Sequence, residues 1–398
     1  MAAINATTNG RTIFGDNRFK LGLFCANCNG GMTFSTASER WPAEWDDIVE
    51  VSQEADEAGF EFILPVAKWR GFGGSSELWD RSFEVLTHSA AIGALTKRIG
   101  IFATIHVPLV SPAFAAKAMS TIDHVTHGRA GLNIVCGWNQ DEFDQHGVTI
   151  DAGTRYDQGL EWFRIYAKLL EGGPAFDWDG AFYKLKGLKT NPVSIQKPGP
   201  VVMSAGFSTR GRDFAAQTAD MLFTGPGEWS KGEAVVRDVK AYAAQHGRSC
   251  DVYASCFFVC RPTRQEAEDY YYHVTEELAD RATTQRFARK REATGTDGEA
   301  PAYADYDSAR QMPRHGRAMG KPYSGTIPGV HPVVGSPDDI VEELEQLSRI
   351  GIAGSSVTFV NYKSELPYFI AEVLPRMERA GLRAPFQMRD SAARTTTS

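Results

Sequence analysis

The chain has 398 residues, of which 42% are hydrophobic and 23% are charged, and its formal net charge at pH 7 is −7. This composition is ordinary for a soluble globular protein, and the acidic balance argues against nucleic acid or an anionic membrane as the main partner. No apolar run approaches the roughly 20 residues needed to cross a bilayer. Because the first residues also lack the apolar core of a secretory signal, we expect a cytoplasmic protein.

Apolar runs and helical patterns alternate along the chain. Strands that are apolar throughout, rather than on every second residue, are typical of a parallel sheet covered on both faces. Eight β-then-α units predict an α/β fold of the (β/α)8 TIM-barrel type. A doubly wound sheet is the alternative, but no G-x-G-x-x-G follows the first strand. The predicted strands are 20–25, 61–65, 98–104, 129–135, 200–204, 219–224, 252–260 and 355–360, and the first four predicted helices are 43–58, 79–95, 111–125 and 155–170.

Two insertions interrupt the repeat within a single predicted barrel domain, residues 19–385. Residues 171–197 indicate a small hairpin. Residues 283–335 are rich in Arg, Gly, Tyr and Pro without a clear period. A loop of this length is usually functional, and its place between strands seven and eight favours a lid or substrate-binding role over a merely solvated surface. The polar stretches 1–18 and 386–398 predict a flexible N-terminal arm and a flexible C-terminal tail.

Cys25 and Cys28 form a lone C-x-x-C motif. A thioredoxin-like motif would open a helix, whereas here a glycine-rich loop follows it. No second cysteine pair or suitable histidine pair completes a zinc site. We therefore expect reduced cysteines and no metal.

Candidate functional side chains cluster at the ends of predicted strands, where a parallel α/β protein meets its ligands. Asn133 is an amide inside an apolar run, and it needs either a backbone partner or a bound molecule. Trp138, just past the same strand, would provide a flat wall. The candidates are Leu64 and Lys68 after strand two, Thr104 and His106 after strand three, Asn133 and Trp138 at strand four, and residues 204–210 after strand five.

Residues 204–210 place small and hydroxyl side chains at the start of a helix. Free N–H groups and the positive end of the helix dipole suit a phosphate at such a position. An ordinary N-cap by Ser208 is the alternative. No G-x-S-x-G, H-E-x-x-H, Walker A motif or paired strand-end carboxylates are present. This inventory favours a site that holds a reactive cofactor over one that performs acid–base hydrolysis.

Three motifs resemble the bacterial luciferase-like superfamily of flavin-dependent monooxygenases, and within it the pyrimidine and dimethylsulfone monooxygenase branch. They are Lys-Trp-Arg-Gly-Phe-Gly-Gly at 68–74, the segment 118–129, and Leu-Asn-Ile-Val-Cys-Gly-Trp at 132–138. The resemblance runs from about residue 19 to residue 375. It implies a TIM barrel with insertions, which agrees with the strand count, and a homo-oligomer, either a dimer or a tetramer.

The resemblance also implies a two-component reaction. Such enzymes take reduced flavin, FMNH2, from a separate NAD(P)H-dependent flavin reductase and react it with O2. A flavin peroxide then transfers one oxygen atom to a small organic substrate. In the pyrimidine branch the adduct is placed at flavin N5 rather than C4a, and the sequence leaves both positions open.

Roles for individual residues follow from the same resemblance. An apolar niche admits O2 and excludes water, and hydrogen bonds from a hydroxyl and an amide stabilise developing charge on oxygen. The lysine orients or polarises the substrate. Leu64, Thr104, Asn133 and Trp138 match the oxygen pocket, Lys68 matches a lysine near the substrate, and Tyr156, Arg155, Ser204, Gly206 and Ser208 match positions that hold the flavin, its phosphate above all.

Several features depart from the pyrimidine branch, namely Cys25 and Cys28, Cys136, His106 and the insertion 283–335. They fall where the substrate is chosen. The resemblance implies a heterocycle or amide-like substrate with C–N cleavage, and these departures leave riboflavin cleavage and oxidation of a sulfone or sulfonate open.

Two other classes are also possible. A deazaflavin-dependent hydride-transfer oxidoreductase is disfavoured by the apolar Leu64, and a flavin-storing protein without chemistry by the intact Thr104, Asn133 and Trp138.

Overall fold

Eight parallel strands close into a barrel in the computed structural model, which describes residues 13, 15–206, 208–225, 229–293, 324–327 and 329–386. The strands of this part of the chain are β1 (Lys20–Phe24), β2 (Phe62–Leu64), β3 (Gly100–His106), β4 (Ala130–Val135), β5 (Phe176–Asp179), β6 (Lys184–Leu188), β7 (Val201–Ala205), β8 (Met221–Thr224), β9 (Asp251–Cys260), β10 (His331–Gly335) and β11 (Gly354–Val357). The barrel order is β1-β2-β3-β4-β7-β8-β9-β11, and β11 pairs with β1 to close it.

Helices connect the strands and cover the outside of the barrel. A π-helical turn, His273–Glu277, follows α8. None of the helices in the described ranges is long and apolar enough to cross a membrane. The α-helices are α1 (Trp45–Glu57), α2 (Val85–Leu95), α3 (Pro112–Val125), α4 (Gln140–Asp144), α5 (Arg155–Glu171), α6 (Thr209–Thr218), α7 (Trp229–Gln245), α8 (Arg264–Tyr272), α9 (Arg281–Ala293), α10 (Pro337–Arg349), α11 (Tyr362–Glu372) and α12 (Leu374–Arg379).

The predicted TIM barrel is confirmed, and burial explains why its strands carry no alternating pattern. Every residue of β3 is buried, because one face meets the barrel interior and the other meets the helices. β3 and β4 are parallel neighbours whose register places Thr104 beside Asn133. Parallel pairing thus brings two polar residues from separate strands together at one end of the barrel.

Two predicted elements need correction. The helix predicted at 79–95 begins only at Val85, because the Glu84 carboxylate caps it by accepting hydrogen bonds from the Leu86 and Thr87 backbone. The insertion 283–335 is not irregular throughout: its first residues lie in α9, and its last five form β10, which pairs with the end of β9. α9 is dominated by polar residues and Arg, so its period is hard to see in the sequence. The cations of this insertion, Arg310, Arg314 and His315, are interpreted from the sequence either as part of a substrate-binding lid or as a solvated surface, and they lie outside the described residues.

The hairpin predicted within 171–197 is confirmed as the antiparallel pair β5–β6. Glu161 of α5 holds it in place. Its carboxylate accepts hydrogen bonds from the indole N–H of Trp178, 3.1 Å away, and from the backbone N–H groups of Phe182 and Tyr183. These bonds lower the pKa of Glu161 and fasten the hairpin to the barrel wall.

Residues at both predicted tails contact the barrel. Ile13 is buried, and the Asn17 amide donates to Glu61 and accepts from the backbone N–H of Ala384. Phe386 lies against the Arg98 guanidinium. The other residues of the predicted flexible arm and tail lie outside the described part of the chain, apart from 15, 16 and 18.

His88 of α2 predicts a specific pH dependence of stability. Burial lowers the pKa of this histidine from 6.5 to about 4, and neither ring nitrogen has a hydrogen-bond partner within the described structure. Between pH 6.5 and 4, His88 is therefore protonated in the unfolded chain but not in the folded chain. The free energy of unfolding should therefore decrease as the pH is lowered through this window, by up to about 1.4 kcal/mol per pH unit for this residue.

Chemical denaturation of the unaltered protein and of His88→Phe at pH 7, 6, 5 and 4.5 measures this contribution. The variant should lose less stability per pH unit below 6.5, and the two curves should run parallel above 7. Parallel curves over the whole range would contradict the assignment.

Candidate functional site

A cavity of about 250 Å³ opens at the carboxyl ends of the barrel strands. Nine of the ten residues to which the resemblance gives a role line it, although they come from five separate segments of the chain. The tenth, Leu64, does not line it. The nine are Lys68, Thr104, Asn133, Trp138, Arg155, Tyr156, Ser204, Gly206 and Ser208, and the other lining residues include Phe24, His106, Glu142, Phe223, Phe287 and Val330.

Leu64 lies one layer below the cavity. Its side chain is fully buried in an apolar cluster inside the barrel, which also contains Phe223 and contacts Phe24. Both phenylalanine rings line the cavity. Leu64 therefore supports the apolar floor from beneath.

Thr104 and Asn133 form the polar centre of the cavity. The Thr104 hydroxyl donates to the Pro65 carbonyl at 2.6 Å, so its single proton is committed. The Asn133 Nδ2 group then donates to Thr104 Oγ1 at 3.1 Å, which fixes the orientation of the amide. Asn133 Oδ1 is buried and has no partner among the described residues. One N–H and the carbonyl oxygen of this amide are therefore available to a bound molecule.

Lys68 and Glu142 form a buried ion pair at the wall of the cavity, with side chains 3% and 4% exposed. Glu142 also accepts a hydrogen bond from the Asn139 amide at 2.7 Å and one from the Trp69 backbone N–H. The Lys68 ammonium lies 4.0 Å from the centre of the Phe72 ring. Burial lowers the pKa of Lys68, and Glu142 opposes that effect. The pair thus places a compensated charge beside apolar surfaces.

The other end of the cavity is built around the start of α6. Ser208 caps this helix by accepting a hydrogen bond from the Gly211 backbone N–H at 3.1 Å, and the Tyr156 hydroxyl lies 3.4 Å from Ser208 Oγ. A side chain at Gly206 would place its Cβ 2.9 Å from the Gly211 backbone. A side chain at position 206 would therefore collide with the backbone of α6, so the close approach of this turn to the helix favours glycine. The N-cap by Ser208 is therefore present, and a phosphate at the same helix start stays a prediction.

Arg155 lies beside this helix start. Its Nη1 donates to the Gly137 carbonyl at 3.1 Å, whereas the buried Nε has no partner in the described part of the chain. The guanidinium also lies 5.0 Å from the Tyr156 ring. A cation with an unused donor at a helix N-terminus is suited to an anionic group.

Both ends of the insertion 283–335 line the cavity. Phe287 of α9 contacts the Trp138 ring, with centroids 5.6 Å apart, and Ile327 and Val330 line the same space. Lys290 pairs with Asp141, next to Glu142. The Asp280 carboxylate fastens the start of α9 by accepting from the backbone and hydroxyl of Ser76. These contacts place the described ends of the insertion at the cavity, and a lid role for the insertion stays a prediction.

Sequence reasoning missed Glu142 and Phe287, and it noted His106 only as a strand-end residue that departs from the family pattern. Glu142 stands nine residues after Asn133, on a short helix that no apolar period marks. Phe287 is the one phenylalanine of α9, a helix dominated by polar residues and Arg. Only the acidic residue so soon after a strand end was a usable signal.

Two sequence features lie outside the catalytic geometry. Cys25 and Cys28 are fully buried in a turn and are not bonded to each other as a disulfide. Within the described ranges, no group of three or more His, Cys, Asp or Glu residues is placed to hold a metal ion. The motif 118–129 serves the fold, because Arg129 donates to the carbonyls of Gly93 and Ile99.

A sequence model of the family described as luciferase-like monooxygenase matches residues 19–354. The chain belongs to this family. It is 28% identical over 370 residues to the pyrimidine monooxygenase RutA of Caulobacter vibrioides. The aligned region covers 90% of this chain and 98% of that protein. RutA of Escherichia coli O139:H28 is 29% identical over 371 residues, covering 90% and 89% of the two chains.

Two solved structures share the fold of this luciferase-like protein. DmoA from Hyphomicrobium sulfonivorans superposes with a TM-score of 0.78 at 18% identity, covering 92% of this chain and 89% of that one. The riboflavin lyase RcaE, solved with a modified FMN and riboflavin, gives 0.76 at 22% identity, covering 92% and 93%. The family membership and these relatives identify the chain as a flavin-dependent monooxygenase.

Proposed function

We propose that this luciferase-like protein is a two-component monooxygenase that takes FMNH2 from a separate NAD(P)H-dependent flavin reductase and uses O2 to oxygenate a small heterocyclic or amide-like molecule. One observation carries the proposal. A single cavity joins an anion cradle, formed by Ser208 and its neighbours, to the Thr104–Asn133 pair and an apolar wall around Trp138. A ligand with a phosphate at one end and a planar ring at the other matches this arrangement.

The residues present fit FMN. The unused Nε of Arg155 and the cradle, with its close turn at Gly206, both suit a phosphate. The unpaired Oδ1 of Asn133 suits an N–H group of a flavin ring. Reduced flavin supplies the electrons that activate O2, chemistry that protein side chains do not provide.

The side chains have separable tasks in this proposal. Asn133 stabilises charge that develops on oxygen through its free N–H, and Thr104 holds the amide in orientation through the bond to Pro65. The rings of Trp138 and Phe287 keep water away from the reacting atoms. The Lys68–Glu142 pair presents donors and acceptors to the substrate.

The proposal is tested by combining the protein with FMNH2 under anaerobic conditions and then mixing this complex with buffer that contains O2. Uracil, dimethylsulfone and riboflavin are the candidate substrates. In 18O2, one labelled oxygen atom should appear in the product of one of them, and flavin reoxidation should depend on that substrate. Release of hydrogen peroxide alone with all three would contradict the oxygenase assignment.

Replacing Ser208 with alanine should weaken FMN binding by about 1.5–3 kcal/mol, because one hydrogen bond to a charged phosphate is lost. Removal of the helix cap should also lower stability by about 1 kcal/mol. Fluorescence titration with FMN and thermal unfolding separate the two effects.

Ser111→Ala is the matched control for this variant. Ser111 caps α3 by accepting from the Phe114 N–H at 3.2 Å, and it does not line the cavity. It should cost similar stability and leave FMN affinity unchanged. Equal FMN affinity in both variants would reduce Ser208 to a plain cap.

A further inference from the structure

His106 ends β3 two residues after Thr104, and its ring lines the cavity. It is only 8% exposed, and its Nδ1 atom is fully buried without a hydrogen-bond partner among the described residues. Its one close ring neighbour in the described structure is Phe143, with centroids 5.4 Å apart. A buried ring nitrogen without a partner costs stability, and a ligand in the cavity that the ring lines could supply a hydrogen bond to this imidazole.

The imidazole is uncharged at neutral pH, since burial lowers its pKa to about 4. The charged groups that act on it are Glu142, Lys68 and His146, and Glu142 and Lys68 neutralise each other. A neutral imidazole offers one N–H donor and one acceptor nitrogen. This histidine therefore recognises hydrogen-bonding groups without adding charge.

The charges around this half of the cavity are balanced. Lys68 is paired with Glu142, and Lys290 is paired with Asp141 immediately beside it. Arg155, whose Nε is unused, lies beside the Tyr156 ring and is not among the charged groups that act on His106. No uncompensated cation of the described residues lines the region around His106, so an anionic substrate would lose its hydration there without gaining a partner.

We infer that His106 is a specificity-determining residue that hydrogen-bonds the substrate, and that it selects small uncharged molecules carrying both a donor and an acceptor, such as a lactam or cyclic imide. The inference rests on the proposed function in placing substrate and flavin in the same cavity. It goes further by excluding carboxylates and sulfonates as substrates and by naming His106 as the residue that recognises the substrate ring.

Equilibrium binding to the FMN-loaded protein tests this inference without turnover. The probes are uracil, 6-methyluracil and orotate, which is uracil with a carboxylate at carbon 6. The variants are His106→Phe, which keeps a flat ring without polar atoms, and His106→Gln, which restores a neutral donor and acceptor.

His106→Phe should weaken uracil binding about tenfold, which is the loss expected for one or two neutral hydrogen bonds. His106→Gln should recover most of that loss. Orotate should bind the unaltered protein at least about tenfold more weakly than 6-methyluracil, which has similar bulk but no charge.

His88→Phe is the matched control, because His88 is equally buried and unpaired but does not line the cavity. It should leave uracil affinity unchanged. Unchanged uracil affinity in His106→Phe, orotate binding as tight as that of 6-methyluracil, or no uracil binding to the unaltered protein would each overturn the inference. Uracil binding that depends on His106, but without any oxygenated product from FMNH2 and O2, would instead refute the proposed function alone.

Discussion

Asn133→Ala should cut the amount of product formed per O2 consumed by about 10²-fold, while flavin oxidation continues. The reason is geometric: Asn133 is the one cavity amide whose orientation is fixed by Thr104 and whose remaining N–H and Oδ1 are free for a ligand. Removal of a preorganised donor from a site that excludes water costs this order of magnitude in other enzymes. Oxygen uptake, hydrogen peroxide release and product are measured together in one assay.

The control for this variant is Asn361→Ala, which removes an asparagine that caps α11 and does not line the cavity. It should alter stability but not the ratio of product to O2. Thermal unfolding and FMN titration of Asn133→Ala show whether the fold and the flavin site persist. A product yield per O2 equal to that of the unaltered protein would remove Asn133 from the mechanism.

Glu142→Ala should lower the free energy of unfolding by about 3–5 kcal/mol, since it leaves the Lys68 ammonium buried without a counter-charge. It also removes the acceptor for the Asn139 amide and the Trp69 N–H. Urea unfolding at pH 7 measures the loss.

The double variant Lys68→Met with Glu142→Leu distinguishes charge from packing. Replacing both members by apolar side chains of similar volume should restore most of the lost stability, because no unpaired charge is left. Substrate binding should not return, because the polar wall is gone. If the single variant Glu142→Ala unfolds at the same urea concentration as the unaltered protein, the pair is not the buried unit that the structure shows.

Local sequence predicted much of the candidate site because parallel strands all end at one rim of the barrel. Thr104, Asn133 and Ser208 were found in this way, since each stands at or just past an apolar run. Leu64 follows the same rule, but its side chain is directed into the barrel interior instead of the cavity. The position of a residue along a strand predicts how close it lies to the rim of the barrel. Whether its side chain reaches the cavity depends on the packing around it.

The residues that sequence reasoning missed belong to the site only through contacts between distant segments of the chain. Glu142 becomes a site residue only through its pairing with Lys68, 74 positions earlier, and Phe287 only because α9 is held over the cavity by Asp280 and Lys290. Such contacts join segments with no sequence period in common. Apart from the position of the acidic Glu142 soon after a strand end, no local pattern predicts them.

The amino-acid sequence by itself determined the barrel, its strand order along the chain and the rim at which the candidate cavity opens, because hydrophobic burial and helix periodicity are local properties. The tertiary structure alone decided which polar atoms are satisfied. It commits the Thr104 proton to Pro65, compensates Lys68 with Glu142 and leaves Asn133 and His106 with unused hydrogen-bonding groups. Hydrogen bonding and charge compensation depend on distances between residues far apart in the chain, and only the folded barrel sets those distances.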